Sequence, residues 1–138
     1  MEPQLAARAE DVGDHPIRVV LADDSPQARR AIETTIARSP LFDVVGTAAT
    51  GEEAIELVDR LRPDLVVLDV RMPGIGGIEA TRRIARRRPG TVVVLVSALE
   101  KDELPSVVDT CGVAAVITKS TLSAPRLSTV WRNHAGTS

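Results

Sequence analysis

The chain has 138 residues, 43% of them hydrophobic, with 17 basic and 19 acidic side chains for a net charge of −2. That length makes one domain with room for a real core, and the near-neutral balance gives no global field to draw nucleic acid or an anionic membrane. No apolar run approaches membrane-spanning length, residues 1–16 lack the apolar centre of a signal peptide, and a single cysteine, Cys111, excludes an internal disulfide framework and fits a reducing cytoplasm.

Residues 1–16 read as a flexible leader rich in Ala and charge, closed by His15-Pro16. Ile17–Ala22 (IRVVLA) is an apolar strand ended by Asp23-Asp24-Ser25-Pro26, where Ser25 is suited to cap a helix and Pro26 to begin it. The first helix is expected over about Pro26–Arg38, with Ala28, Ala31, Ile32, Thr35 and Ile36 inward. Phe42–Thr47 is a second strand. Thr50 and Glu53 then match the capping box that starts a helix, here running to about Leu61. Leu65–Asp69 is a continuous apolar run closed by a turn through Pro73, Gly74, Gly76 and Gly77, the pattern of a strand buried on both faces. Ile78–Arg87 is helical, its Arg82, Arg83, Arg86, Arg87 and Arg88 forming a solvated outer face. Thr91–Val96 is the fourth strand, ending at Ser97. A fourth helix is expected over about Glu103–Thr110, starting late because of Pro105, with Gly112 as its cap. Val113–Thr118 is the fifth strand, ending at Lys119. A fifth helix covers about Ala124–Asn133, and residues 134–138 form a tail.

Five apolar strands alternating with five helices give an α/β domain, with a doubly wound parallel sheet and right-handed crossovers. At this length the flavodoxin-like strand order 2-1-3-4-5 is expected, which puts strands 1 and 3 together at the topological switch point, where ligands bind beyond the carboxyl ends of the strands. The residues falling at that edge are Asp23 and Asp24, Asp69, Ser97 and Lys119. Three neighbouring carboxylates repel unless a cation joins them, and few hard oxygen ligands with room for water and phosphate favour Mg²⁺. An ammonium and a hydroxyl opposite suit an anion, phosphoryl above all. Lys119 stands out because Lys101 is the only other lysine beside a large majority of arginines, and an ammonium is a compact point charge where a guanidinium is a fork.

The motifs VVLADDSP, VVLDVRMPGIGG, VVLVSA and AAVITK, from about Ile17 to Trp131, resemble the receiver domains of bacterial response regulators, in particular those carrying C-terminal helix-turn-helix outputs. The resemblance implies that Asp69 is the phosphoacceptor attacking a phosphohistidine of a sensor histidine kinase or phosphotransfer protein. It implies that Asp23 and Asp24, with Asp69 and the main-chain carbonyl of Arg71, hold Mg²⁺. Lys119 would pair with the phosphoryl group and Ser97 would swing toward it. It further implies a cytoplasmic two-component phosphorelay protein, with no enzymatic turnover beyond its own phosphorylation and dephosphorylation. Such a protein contacts neither DNA nor membrane itself, and can pair through the face of the fourth helix, fifth strand and fifth helix. It would be a stand-alone receiver or one excised from a DNA-binding regulator. Two positions depart from the pattern. Val116 stands where receivers place an aromatic residue, and Ser120 replaces the proline that follows the lysine through a cis bond, a geometry rare before non-proline residues. A phosphatase of the haloacid dehalogenase type would need its nucleophile after strand 1 in a DxDx(T/V) pattern, which Asp23-Asp24-Ser25-Pro26 does not match. A flavin site would want stacking aromatics, and only Phe42 and Trp131 exist.

Overall fold

A computed structural model describes residues 15–135; apart from His15 and Pro16, the expected leader lies outside them, as do residues 136–138 of the expected tail. Five strands, β1 (Ile17–Ala22), β2 (Phe42–Ala48), β3 (Leu65–Asp69), β4 (Val92–Ser97) and β5 (Ala115–Thr118), form one parallel sheet in the order 2-1-3-4-5. That is the expected doubly wound, flavodoxin-like topology. The helices are α1 (Pro26–Ala37), α2 (Gly51–Leu61), α3 (Gly76–Arg87) and α4 (Ala124–Ala135).

Alternation along the strands builds two cores. Val20, Ala22, Val66, Leu68, Val93 and Leu95 face Ala54 and Val58 of α2 and Ala80 and Ile84 of α3. Val19, Leu21, Val67, Val94, Val96 and Ile117 face Ile32 and Ile36 of α1 and Leu127 of α4. Because successive side chains leave a strand on opposite sides, a strand with helices on both sides must be apolar at every position, and every residue of β3 and β4 is buried. Each fully buried Val or Leu contributes about 1.5–3 kcal/mol. The sheet centre is therefore the rigid part of the molecule, and it carries Asp69 and Ser97 at its ends.

The caps follow the sequence. Ser25 Oγ accepts the Ala28 N–H at 3.2 Å, and Thr50 Oγ1 accepts the Glu53 N–H at 3.1 Å while Glu53 reaches back to the Ala49 N–H at 2.7 Å. In α1 the inward face is narrower than expected, since Ala31 is exposed. The α3 arginines are not simply solvated: Arg82 and Arg83 pair with Glu79, and Arg87 and Arg88 with Asp59 of α2.

The helix expected over Glu103–Thr110 is not formed. Two 3₁₀ turns, Lys101–Glu103 and Ser106–Thr110, stand in its place, so the described residues form four α-helices and not five. Pro105 has no N–H, and its ring drives the preceding residue out of the helical region; Leu104 accordingly sits at φ −93°, ψ 159°. The segment still packs, with Val108 and Cys111 buried against the α2–α3 core. Gly112 ends it at φ +97°, where an added Cβ would fall 2.6 Å from that of Ala85.

Candidate functional site

Three chain ends converge at the carboxyl edge of the sheet. Asp23 and Asp24 follow β1 and Asp69 ends β3. These two strands are neighbours in register, and carboxylate oxygens of all three residues lie within 4.8 Å of one another. Asp23 is wholly buried and Asp69 is 6% exposed, whereas Asp24 faces solvent. Lys119, entering from the 3₁₀ turn after β5, places its ammonium 3.2 Å from Asp23 Oδ2 and 3.4 Å from Asp69 Oδ2. Three carboxylates against one ammonium leave an excess of negative charge in a partly dry place. Burial pushes the Asp69 carboxyl above its ordinary value and the Asp23 charge adds to the rise, opposed by the Lys119 ammonium and a hydrogen bond from the Arg71 main chain. Burial also weakens the Lys119 ammonium, but the two aspartates outweigh it and hold the group above the usual lysine value.

The loop from Val70 to Gly76 closes over this corner. Gly74 and Gly76 take φ of +81° and +77°, the left-handed region that only glycine enters cheaply. Gly77 is there for space: a Cβ would lie 2.2 Å from the Asp69 carbonyl oxygen. Its N–H donates to the Val70 carbonyl at 2.9 Å, so α3 starts hard against the end of β3. The Arg71 side chain is exposed. Ser97 is buried at the end of β4 and its Oγ accepts the Leu99 N–H at 2.9 Å, which binds the hydroxyl to the loop that follows. Val116 is half-buried in β5, and Ser120 lies exposed inside the turn Lys119–Thr121.

The donor set fits a hard divalent cation. Asp23 Oδ2 is buried and makes no hydrogen bond among the described residues; its approach to Lys119 is an ion-pair contact and not an aligned hydrogen bond. The Lys119 ammonium meets that oxygen, but a single ammonium set against three carboxylates leaves room for a further positive charge there. Sequence reasoning missed Arg29, whose Nη1 donates to the Asp23 main-chain carbonyl at 2.7 Å. The signal was present, since Arg29 falls three and seven residues before Ile32 and Ile36, on the stripe that α1 buries.

The sequence profile described as the response regulator receiver domain matches residues 19–130. The chain belongs to that family. This receiver is 47% identical over 87 residues to protein-glutamate methylesterase/protein-glutamine glutaminase 4 of Myxococcus xanthus, covering 63% of this chain and 25% of that protein. It is 41% identical over 103 residues to response regulator GacA of Pseudomonas aeruginosa, covering 75% of this chain and 48% of that one. The receiver thus spans between a quarter and about half of the length of these curated relatives. The solved response regulator domain of Thermotoga maritima CheB superposes with a TM-score of 0.78 at 32% identity, over 90% of this chain and 99% of that one.

Proposed function

We propose that the protein is a phosphorylation-controlled switch of a two-component phosphorelay, with Asp69 as phosphoacceptor. One observation carries the reading: a buried aspartate at the end of the central strand, inside an acidic cluster, with an ammonium 3.4 Å from its Oδ2. Asp69 attacks the phosphorus of a phosphohistidine, presented by a sensor histidine kinase or phosphotransfer protein. The P–O bond to Asp69 forms as the P–N bond breaks, and the imidazole leaves with the electron pair and takes a proton from water. Transfer of this kind needs little covalent help beyond in-line positioning and neutralised oxygens. Lys119 supplies positive charge for the phosphoryl oxygens. Asp23, Asp24, Asp69 and the Arg71 carbonyl are the groups that would hold Mg²⁺, which when bound offsets the remaining negative charge of carboxylates and phosphoryl group.

Ser97 is the reporting residue. Turning its Oγ toward a phosphoryl oxygen gives up the Leu99 N–H and loosens the loop after β4 from its present seat. Beyond that loop a groove of about 700 Å³ is lined by Leu104, Pro105 and Val108 together with Glu100, Lys101 and Asp109. Any homodimer of the phosphorylated form uses this face with β5 and α4. The chain acts in the cytoplasm as a signalling component, with no second substrate and no DNA or membrane contact of its own. It serves either alone or as the receiver of a longer regulator.

The test is incubation with Mg²⁺ and acetyl phosphate followed by intact-mass measurement. The parent gains one phosphoryl group and Asp69→Asn gains none. A parent that stays unmodified, or an Asp69→Asn variant modified as fully, overturns the reading.

A further inference from the structure

Asp23 has four polar atoms that can make bonds, and three of them are committed. Its N–H donates to the Ala48 carbonyl at 3.1 Å, tying it to the end of β2. Its Oδ1 accepts the Ser25 N–H at 2.9 Å. Its carbonyl accepts Nη1 of Arg29 at 2.7 Å, in a partly buried contact across one turn of chain. Oδ2 is buried and makes no hydrogen bond among the described residues; it meets the Lys119 ammonium as an ion pair at 3.2 Å, within the group formed with Asp24 and Asp69. Arg30, the next residue, is exposed, so the inward placement belongs to Arg29 and not to a generally basic helix face. An arginine on the buried stripe of α1 gives up hydration and needs an acceptor, and the acceptor it has found is the main chain of the most buried carboxylate in the site.

We infer that Arg29 is a positioning residue of the metal site, fixing the Asp23 peptide so that Oδ2 stays turned toward the space the three carboxylates share. This rests on the reading of those carboxylates as a Mg²⁺ site. Outer groups that orient ligands commonly account for about 10–100-fold in metal affinity. The inference also has a sign that separates it from simple charge. An arginine beside a cation site repels the cation, so removing it for electrostatic reasons alone tightens binding; removing it as a positioning group loosens binding.

The experiment titrates the full chain with Mg²⁺ at constant ionic strength and follows the amide NMR shifts of Ser25 and Arg71. Thermal melting without metal is run beside it. Arg29→Ala is expected to weaken Mg²⁺ binding about tenfold or more, Arg29→Lys to recover much of it, and Arg30→Ala to stay within about twofold of the parent. Arg29→Met, which keeps the apolar stem and loses the donors, is read in place of Arg29→Ala if that variant does not fold. Unchanged or tighter Mg²⁺ binding in the donor-less variant, even with a lowered melting point, overturns the inference. So does a lysine variant no better than methionine. If the parent shows no Mg²⁺ response, or Asp23→Asn binds as well as the parent, the metal site itself fails. A parent that binds, with a weakened Asp23→Asn and an unaffected Arg29→Ala, sinks the Arg29 role alone.

Discussion

Asp69 lies where ionising it costs the fold something. Its carboxyl is held above the ordinary value by burial first and by Asp23 second, with Lys119 opposing. Since the folded-state value is the higher one, the unfolded chain releases this proton first. The contribution to stability is then fullest at acid pH and is lost as pH rises through the folded-state value. At neutral pH in metal-free buffer the site therefore holds a repulsion that Asp69→Asn removes. That variant is expected to be more stable than the parent by about 0.5–2 kcal/mol, the usual gain when a functional site is relaxed. The gap should close as pH falls into the ordinary carboxylate range, where the parent becomes protonated too. Paired denaturant melts across pH measure it; an Asp69→Asn variant less stable than the parent at pH 7 means that the Lys119 contact outweighs burial.

At the scale of elements, what could be read from sequence was whatever local pattern decides. β3 and β4 are continuous apolar runs because helices cover both faces, and that pattern survives into the structure unchanged. The caps at Ser25 and Thr50 are chosen by hydrogen bonds spanning three residues, so they too were visible. The positions of Asp23, Asp69 and Lys119 followed from strand ends, which the topology gathers. The place of Arg29 on the inward stripe of α1 was legible, but its partner was not, because the acceptor is a carbonyl, a group every residue carries and no sequence marks. The segment after β4 was misread because its apolar residues, Leu104, Val108 and Cys111, have helical spacing while Pro105 forbids the helix that would use it. Proline in a helix interior costs about 3 kcal/mol, and Val108 and Cys111 are already buried in the two turns, so a continuous helix gains no burial at these residues to set against it. Pro105→Ala should therefore fuse the turns Lys101–Glu103 and Ser106–Thr110 into one helix, seen as a gain in far-UV helical signal and in amide protection. No gain would show that packing of Val108 and Cys111, and not proline, sets the 3₁₀ geometry.

Across the whole molecule the proposed function raises the question of how a group added at Asp69 would reach a partner. The sheet centre is poorly placed to transmit it, since β3 and β4 are buried at every residue and paired on both sides. The change has to pass through an element with two arrangements. In β5 the position that an aromatic ring would occupy holds Val116, a stiff β-branched side chain with little room to swing. What remains is main chain. Ser97 Oγ holds the Leu99 N–H, and beyond Leu99 come two short turns secured by an exposed Lys101–Asp109 pair at 3.0 Å, a contact worth at most about 1 kcal/mol. That segment has two short 3₁₀ turns in place of a helix and is directly joined to the hydroxyl proposed to sense a phosphoryl group. Phosphorylation should thus alter amide exchange from Leu99 to Thr110 by about tenfold or more, within the 1–3 kcal/mol typical of coupling between sites. Ala115–Thr118 should stay within a factor of about two. Ser97→Ala should be phosphorylated yet lose the response at Leu99–Thr110. Hydrogen–deuterium exchange on the phosphorylated chain decides it: an equal response in β5, or one that persists in Ser97→Ala, would place the relay elsewhere in the fold.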